Sequence, residues 1–254
     1  MSQCNPCKFP MDPKEQFTKD EGGKAVDATE FKSVVGGLRY LVLTRPDIAF
    51  VVGIVSRYME KPIVLHLNAA KRILRYIKGT LEYGLMYTKD AGNNVLTGYS
   101  DSDLAGQIED RKSTGGMVLY LNECLVTWVS QKQHCVALSS CEAEFMAATA
   151  AACQVIWLRN VLKELTGEQV PPVLIYIDNK SAIDLAKNSV FHGRSKHIDV
   201  RYHFIRECIG RGEVIVKHVS SENQKADMLT KALFAVRFER LRNLLGIKAL
   251  GNHV

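Results

Sequence analysis

Four acidic residues lie where a predicted strand or helix begins or ends, the places where acidic side chains of different elements can meet. Asp101 closes the first strand of a predicted sheet, and Asp178 closes the fourth strand. Glu144 lies one turn into a long predicted helix, and Asp227 lies in the first turn of a later one. Active sites of open α/β sheets lie beyond the carboxyl ends of strands. Asp101 and Asp178 therefore converge if their strands are parallel neighbours.

Converging carboxylates are oxygen ligands of the kind that magnesium and manganese prefer. Two such ions roughly 3.5–4 Å apart can hold the attacking and leaving oxygens of an in-line displacement. The set therefore predicts hydrolysis of a phosphodiester by metal-activated water. The three aspartates also have a structural interpretation, because Asp101 and Asp178 could be turn-forming residues and Asp227 would complement a helix dipole. Asp103 shares the strand parity of Asp101, and we favour Asp101 because it is closer to the strand body.

The long helix predicted over residues 140–165 separates its two acidic residues by role. Ser139 and Glu142 fit a capping box, which gives Glu142 a structural task. Glu144 instead heads an apolar stripe that we predict to be the buried face of the helix, formed by Ala148, Ala151, Val155, Leu158, Leu162 and Leu165. A buried carboxylate needs a partner or a metal ion, so Glu144 is the better functional candidate.

The pattern of short segments rich in β-formers predicts strands at residues 95–101, 116–121, 125–129, 173–178 and 213–218. Helices are predicted at residues 140–165, 180–188, 196–211 and 224–233. Hairpins at the start and crossovers later indicate an α/β fold with a mixed sheet of about five strands flanked by helices. A small helical segment precedes this sheet, with two helices in residues 30–58 and a third over residues 66–78.

These patterns divide the chain into four predicted parts. Residues 1–29 form a polar tail or linker, residues 30–92 a helical segment, residues 93–233 the α/β domain, and residues 234–254 a C-terminal helix and tail. The third helix is basic, with Lys71, Arg72, Arg75 and Lys78, and a further basic pair is Arg194 and Lys196. Such residues suit a phosphate backbone, although a solvated helix face is an equally good interpretation.

Composition excludes few classes of protein. The chain has 254 residues and a formal net charge of +6, which permits a polyanionic partner without requiring one. The most apolar region, residues 34–55, is interrupted by charge and proline and lacks the ~20 apolar residues of a membrane span. No signal-peptide pattern is present at the N-terminus. We expect an intracellular protein in the cytoplasm, with virus-like particles and the nucleus as alternatives, and no membrane partner.

Eight motifs in one order carry a family resemblance. They are TRPDIAF (44–50), HLNAAKRILRYIKGT (66–80), GYSDSDLAG (98–106), RKSTGG (111–116), ALSSCEAEFMA (137–147), YIDNKSAI (176–183), HGRSKHIDVRYHFIRE (192–207) and NQKADMLTK (223–231). On these motifs the chain resembles copia-type retrotransposon Pol polyproteins, at the C-terminal region where reverse transcriptase joins ribonuclease H. Residues 31–90 correspond to the connecting segment between the two. Leu104 stands where such proteins usually have tryptophan.

The resemblance implies a ribonuclease H-like fold with its carboxylates at Asp101, Glu144, Asp178 and Asp227. It implies two Mg²⁺ ions, with Mn²⁺ as the alternative, no organic cofactor, and an RNA–DNA hybrid whose RNA strand is cut. His218 lies where related nucleases place a histidine that aids proton transfer, although a structural hydrogen bond is the alternative. The nucleic-acid-binding residues would be Lys71, Arg72, Arg75, Lys78, Arg194 and Lys196.

Two other functions remain open at this point. The polymerase fingers and palm, with their paired aspartates, are expected before residue 31 and are absent, so the chain by itself is not a polymerase. A catalytically idle, truncated remnant that at most binds nucleic acid is therefore an alternative to an active ribonuclease H. An integrase-like nuclease of the same broad fold is a third interpretation, and the helical position of Glu144 favours ribonuclease H over it.

Overall fold

The computed structural model describes residues 3–19, 22–89, 94–187 and 199–251. The chain divides into two compact units, one made of Met1–Met86 with Lys231–Val254 and the other of Tyr87–Thr230. The first unit is mainly helical. The second contains a five-stranded sheet and the helices that pack on it.

The helical unit contains α1 (Ala28–Leu41), a 3-10 turn at Pro46–Ile48, α2 (Ala49–Ser56), α3 (Val64–Lys78) and, from the C-terminal segment, α7 (Ala235–Leu244). Asp27 caps α1, because its side chain accepts hydrogen bonds from the backbone of Thr29 and Glu30. A two-stranded antiparallel ladder, which the sequence patterns do not predict, joins β1 (Tyr83–Leu85) to β7 (Ile247–Ala249).

A buried polar network lies at the centre of this unit. The Arg45 guanidinium binds Asp47 through two hydrogen bonds of 2.9 and 2.8 Å and also reaches the carbonyl of Thr80 at 3.0 Å. The Tyr76 hydroxyl donates to Asp47 at 2.5 Å, and Arg242 of α7 lies 3.4 Å from that hydroxyl. All five side chains are buried. Each charge therefore has the partner that burial requires.

Residues 3–19, predicted to be a polar tail or linker, include side chains that pack within the helical unit. Phe17 is buried, and the Tyr58 hydroxyl donates to its carbonyl at 2.9 Å. Tyr58 in turn stacks on His66, with ring centroids 4.0 Å apart. The overall composition of the N-terminal segment is polar, but its aromatic side chain supplies the apolar surface that packs in the helical unit.

The sheet unit has the strand order β4-β3-β2-β5-β6, with β2 (Leu96–Ser102), β3 (Thr114–Leu121), β4 (Cys124–Lys132), β5 (Val173–Ile177) and β6 (Val214–His218). The first three strands along the chain pair antiparallel, whereas β5 pairs parallel with both β2 and β6. The helices of this unit are α4 (Ser140–Thr166), α5 (Lys180–Lys187) and α6 (Asp199–Gly210). The predicted mixed sheet of about five strands flanked by helices is confirmed.

Helix α4 provides much of the core of this unit. Ser139 is its N-cap and accepts a hydrogen bond from the backbone of Glu142, while Glu142 accepts one from Leu138. The predicted buried stripe holds for Ala148, Ala151 and Val155. It does not extend to Leu165, which is 77% exposed because the helix runs past the edge of the core. In the described part of the chain, α4 alone is long and apolar enough to cross a bilayer, yet its buried residues form the protein core.

The α-helix predicted at residues 224–233 is wrong. The chain instead forms short 3-10 turns at Ser221–Asn223 and Lys225–Leu229. The Gln224 side chain caps the second turn by accepting a hydrogen bond from Ala226 at 3.3 Å and also donates to the carbonyl of Ser100 at 2.9 Å. These side-chain bonds to the sheet compete with the regular backbone bonds of an α-helix.

Candidate metal centre

Parallel pairing of β2 with β5 brings two of the predicted aspartates together. The register pairs Tyr99 with Tyr176. Because the two strands are parallel, Asp101 and Asp178, each two residues further along, lie next to each other. Asp101 lies within β2, and Asp178 follows the last residue of β5. Both aspartates therefore lie at the carboxyl end of the sheet, at the edge where α/β enzymes place their sites.

Glu144 completes the cluster from the first turns of α4. Its Oε1 accepts a hydrogen bond from the backbone N–H of Ser102 at 3.2 Å, which holds the glutamate against the end of β2. Asp101, Glu144 and Asp178 each offer a carboxylate oxygen, and these three oxygens lie within 4.8 Å of one another. Asp101 and Glu144 are buried, and Asp178 is half-buried.

The electrostatics of Glu144 follow from this crowding. Burial, followed by the negative charges of Asp101 and Asp178, raises the pKa of Glu144 from 4.5 to about 10. Three carboxylates so close together repel one another unless protons or a cation neutralise them. Burial and the neighbouring negative charges therefore favour the protonated form of Glu144.

The residues present fit a divalent cation. The donor set consists of hard carboxylate oxygens, which suit magnesium and manganese. Glu144 Oε2 is buried and receives no hydrogen bond from a donor group in the described part of the chain, and the protonated Glu144 shares a hydrogen bond with the neighbouring Asp101 carboxylate. Three crowded carboxylates need a proton or a cation to neutralise them, and a divalent cation would replace the proton that Glu144 otherwise shares with Asp101.

Asp227 is not one of the three residues of this cluster. It is buried in the 3-10 turn Lys225–Leu229, which contacts β2 and β3. The turn is connected to the cluster through Thr230, whose hydroxyl donates to Asp101 Oδ2 and lies 3.0 Å from the carbonyl of Asp227. Of the four predicted carboxylates, the structure thus brings three together and places the fourth nearby.

Asp103, the alternative to Asp101, has a different environment. Its Oδ1 accepts a hydrogen bond from the backbone of Thr114, and its carboxylate packs against Gly106 in the loop that follows β2. Asp103 therefore holds this loop to β3. Hydrogen bonds of this kind close the loop. Leu104 in the same loop is 50% exposed, so half of its surface remains in contact with solvent.

His218, the predicted proton-transfer residue, is the last residue of β6 and is exposed. It pairs in register with Ile177, the residue that precedes Asp178. This register places the histidine backbone at the same edge of the sheet as the carboxylates.

Three of the four basic side chains on α3 contact the chain's own N-terminal segment. Arg75 donates to the carbonyl of Asn5 at 2.7 Å, and Lys78 donates to that of Cys4 at 2.9 Å. The Arg72 guanidinium lies 4.7 Å from the centroid of the Phe9 ring. Lys71 is exposed. The other predicted basic pair, Arg194 and Lys196, lies outside the described residues.

Sequence reasoning missed the side chains that hold the carboxylates. Ser221 donates to Asp178 Oδ2 at 2.8 Å, and Thr230 donates to Asp101. Thr230 lies in the motif NQKADMLTK and Ser221 lies two residues before it, although the sequence patterns select only Asp227 there as a site residue. The signal available in the sequence was the presence of hydroxyl residues on both sides of an acidic motif.

Comparison with known proteins finds relatives that match most of the chain. No protein-family model matches it. It is 40% identical to the retrovirus-related Pol polyprotein from transposon RE1 of Arabidopsis thaliana, over 97% of this chain and 17% of the relative. It is 44% identical to that from transposon TNT 1-94 of Nicotiana tabacum, over 85% of this chain and 16% of the relative. Close homologues of the chain are therefore retrovirus-related Pol polyproteins of plant transposons, as the resemblance predicted, and the chain spans about one sixth of their length.

Among solved structures, LC11-RNase H1, isolated from compost, is similar to the chain with a TM-score of 0.42 and 15% sequence identity. The match covers 54% of this chain and 93% of that protein. The structural neighbours of the chain thus include a ribonuclease H. The chain itself contains the mixed five-stranded sheet described above.

Proposed function

We propose that the chain carries a metal-dependent endonuclease site of the ribonuclease H type, which hydrolyses the RNA strand of RNA–DNA hybrids. The observation that carries this proposal is the cluster of Asp101, Glu144 and Asp178 beyond the ends of two parallel strands, whose carboxylate oxygens lie within 4.8 Å of one another although Asp101 and Glu144 are buried. Similarity to retrovirus-related Pol polyproteins over most of the chain supports the same assignment.

In this proposal Asp101, Glu144 and Asp178 hold two Mg²⁺ or Mn²⁺ ions, and Asp227 is the fourth carboxylate. Cations bound there would polarise the scissile phosphate and lower the pKa of the attacking water. The backbone N–H of Ser102 orients Glu144. His218, exposed at the end of β6, is suited to exchange protons with the leaving oxygen.

The nucleic-acid partner is proposed to be contacted through basic side chains, namely Lys71, Arg72, Arg75 and Lys78 of α3 together with Arg194 and Lys196. Phosphate contacts of this kind position a duplex without reading its sequence. Discrimination between RNA and DNA would rest on the 2′-hydroxyl and on groove shape.

The test is cleavage of an end-labelled RNA–DNA hybrid by the purified full chain with Mg²⁺, with and without a chelator. Asp178→Asn removes a charge from the cluster with little change in shape. Asp184→Asn makes the same change at an exposed aspartate on α5 and is the matched control.

We expect metal-dependent cutting of the RNA strand that falls at least ~100-fold in Asp178→Asn, a loss on the scale of one catalytic interaction, and that persists in Asp184→Asn. Absence of cutting by a folded chain would contradict the hydrolase proposal. In that case retention of the labelled hybrid in a binding assay would support the alternative, a catalytically idle remnant that binds nucleic acid.

A further inference from the structure

Two hydroxyl groups from one short segment hold the two aspartates of the cluster. Thr230 donates a hydrogen bond to Asp101 Oδ2, and Ser221 donates one to Asp178 Oδ2 at 2.8 Å. A hydrogen bond to one oxygen of a carboxylate restricts rotation of the carboxylate plane and so sets the direction of the other oxygen. Residues 221–230 therefore act on both aspartates at once.

This segment is itself attached to the sheet. Gln224, which is fully buried, donates to the carbonyl of Ser100 on β2 at 2.9 Å. Ser130 on β4 donates to the carbonyl of Leu229 at 2.6 Å. The segment is thus anchored to β2 and β4 between the two hydroxyls that reach the aspartates, and this restricts its freedom to move away from them.

We propose that residues 221–230 form a clamp that orients Asp101 and Asp178 as metal ligands, with Thr230 as its main positioning residue. The inference rests on the proposed metal-dependent function. Groups that hydrogen-bond to metal ligands fix ligand orientation, and their loss commonly weakens metal affinity by roughly 10- to 100-fold. Thr230 is fully buried and Ser221 is exposed, so water can replace the Ser221 hydroxyl more readily than that of Thr230.

The experiment measures Mn²⁺ binding to the full chain without nucleic acid, from the electron paramagnetic resonance signal of free Mn²⁺. Thr230→Val keeps the shape of the side chain and removes the hydroxyl, whereas Thr230→Ser keeps the hydroxyl. Thr149→Val is the matched control, because Thr149 is also buried but its hydroxyl donates at 2.9 Å to the carbonyl of Phe145 within α4.

We expect Thr230→Val to weaken Mn²⁺ binding by roughly 10- to 100-fold, and Thr230→Ser and Thr149→Val to bind close to wild type. Ser221→Ala, at an exposed site, should weaken binding by roughly 2- to 10-fold, the value of one ordinary hydrogen bond. If Thr230→Val does not fold, the Mn²⁺ affinity of Ser221→Ala decides whether residues 221–230 orient the aspartates.

Wild-type Mn²⁺ affinity in both Thr230→Val and Ser221→Ala would overturn the clamp and leave the metal site and the proposed nuclease standing. Failure of the wild-type chain to bind Mn²⁺ would overturn the clamp and the metal-dependent function together. Tight Mn²⁺ binding without hybrid cleavage would contradict the nuclease alone, and the variants would still decide the clamp.

Discussion

Gly116 lies directly opposite Asp101 across the β2–β3 ladder, and its missing side chain is what allows Thr230 to approach that aspartate. A Cβ atom at Gly116 would lie 2.8 Å from Thr230 Cγ2, 2.9 Å from Leu229 Cβ and 3.1 Å from the carbonyl oxygen of Ala226. Each of these separations is shorter than an ordinary van der Waals contact of about 3.5–4 Å. The turn would therefore have to move away from β3.

Gly116→Ala should lower the free energy of unfolding by roughly 1–3 kcal/mol, the usual range for overpacking, and weaken Mn²⁺ binding as the hydroxyl of Thr230 moves from Asp101. The neighbouring change Gly115→Ala is the control, because its Cβ would lie an ordinary 3.6 Å from Ala147 Cβ. Urea unfolding and Mn²⁺ titration of both variants check this. Equal stability and equal Mn²⁺ affinity of the two variants would show that the turn Lys225–Leu229 can move to accept a Cβ atom at Gly116 without cost.

Glu144→Gln should change how stability depends on pH. The pKa of Glu144 is raised to about 10 in the folded chain, chiefly by burial and then by Asp101 and Asp178. The folded state therefore binds one proton more than the unfolded state between the ordinary glutamate pKa of 4.5 and the folded value. The contribution of Glu144 to the free energy of unfolding is therefore fully present below that pH range and is lost as the pH rises through it.

Melting temperatures of the metal-free chain at pH 6 and pH 9 check the effect. The wild-type chain should lose more stability between the two values than Glu144→Gln, which has no proton to lose. A shift of 1 kcal/mol corresponds to roughly 2–4 °C for a chain of this size. Added Mn²⁺ should stabilise the wild type more than the variant, because binding to the folded state alone raises its stability. Parallel pH profiles without metal would contradict the assigned pKa.

Asp47→Ala should destabilise the helical unit strongly. It would leave the buried Arg45 guanidinium without its carboxylate, and breaking a buried pair from one side typically costs about 3–5 kcal/mol. Tyr76→Phe removes only the hydroxyl that donates to Asp47 and should cost roughly 1–3 kcal/mol. Denaturant unfolding measures both. Similar losses of unfolding free energy in the two variants would show that the Arg45–Asp47 ion pair stabilises the unit no more than the Tyr76 hydroxyl does.

Lys71→Gln and Arg75→Gln should separate nucleic-acid binding from packing on α3. Lys71 is exposed, so its substitution should leave stability unchanged and reduce the salt slope of hybrid binding by about 0.9, the value for one phosphate contact. Arg75 holds the carbonyl of Asn5, so Arg75→Gln should also lower the melting temperature. Binding titrations at several salt concentrations provide the slope. An unchanged slope in Lys71→Gln would remove that residue from the proposed interface.

Local patterns were sufficient for most of the elements. Alternating and helical periods predicted all five strands of the sheet and the three helices α4, α5 and α6 to within a few residues. They failed at residues 224–233, where side chains of Gln224 and Thr230 bond to the sheet and replace an α-helix with 3-10 turns. They also missed the pairing of Tyr83–Leu85 with Ile247–Ala249, because neither short segment has a period of its own.

By itself, the sequence determined which acidic residues were available, on which elements they lay, and that Glu144 headed the buried side of its helix. Only the tertiary structure decided which of them meet. It separated Asp101 from Asp103, left Asp227 out of the cluster of three carboxylates, and set the hydroxyl of Thr230 on a carboxylate 129 residues away. The physical reason is range: periodicity reports neighbours along one element, whereas a hydrogen bond between distant segments depends on how the whole sheet packs.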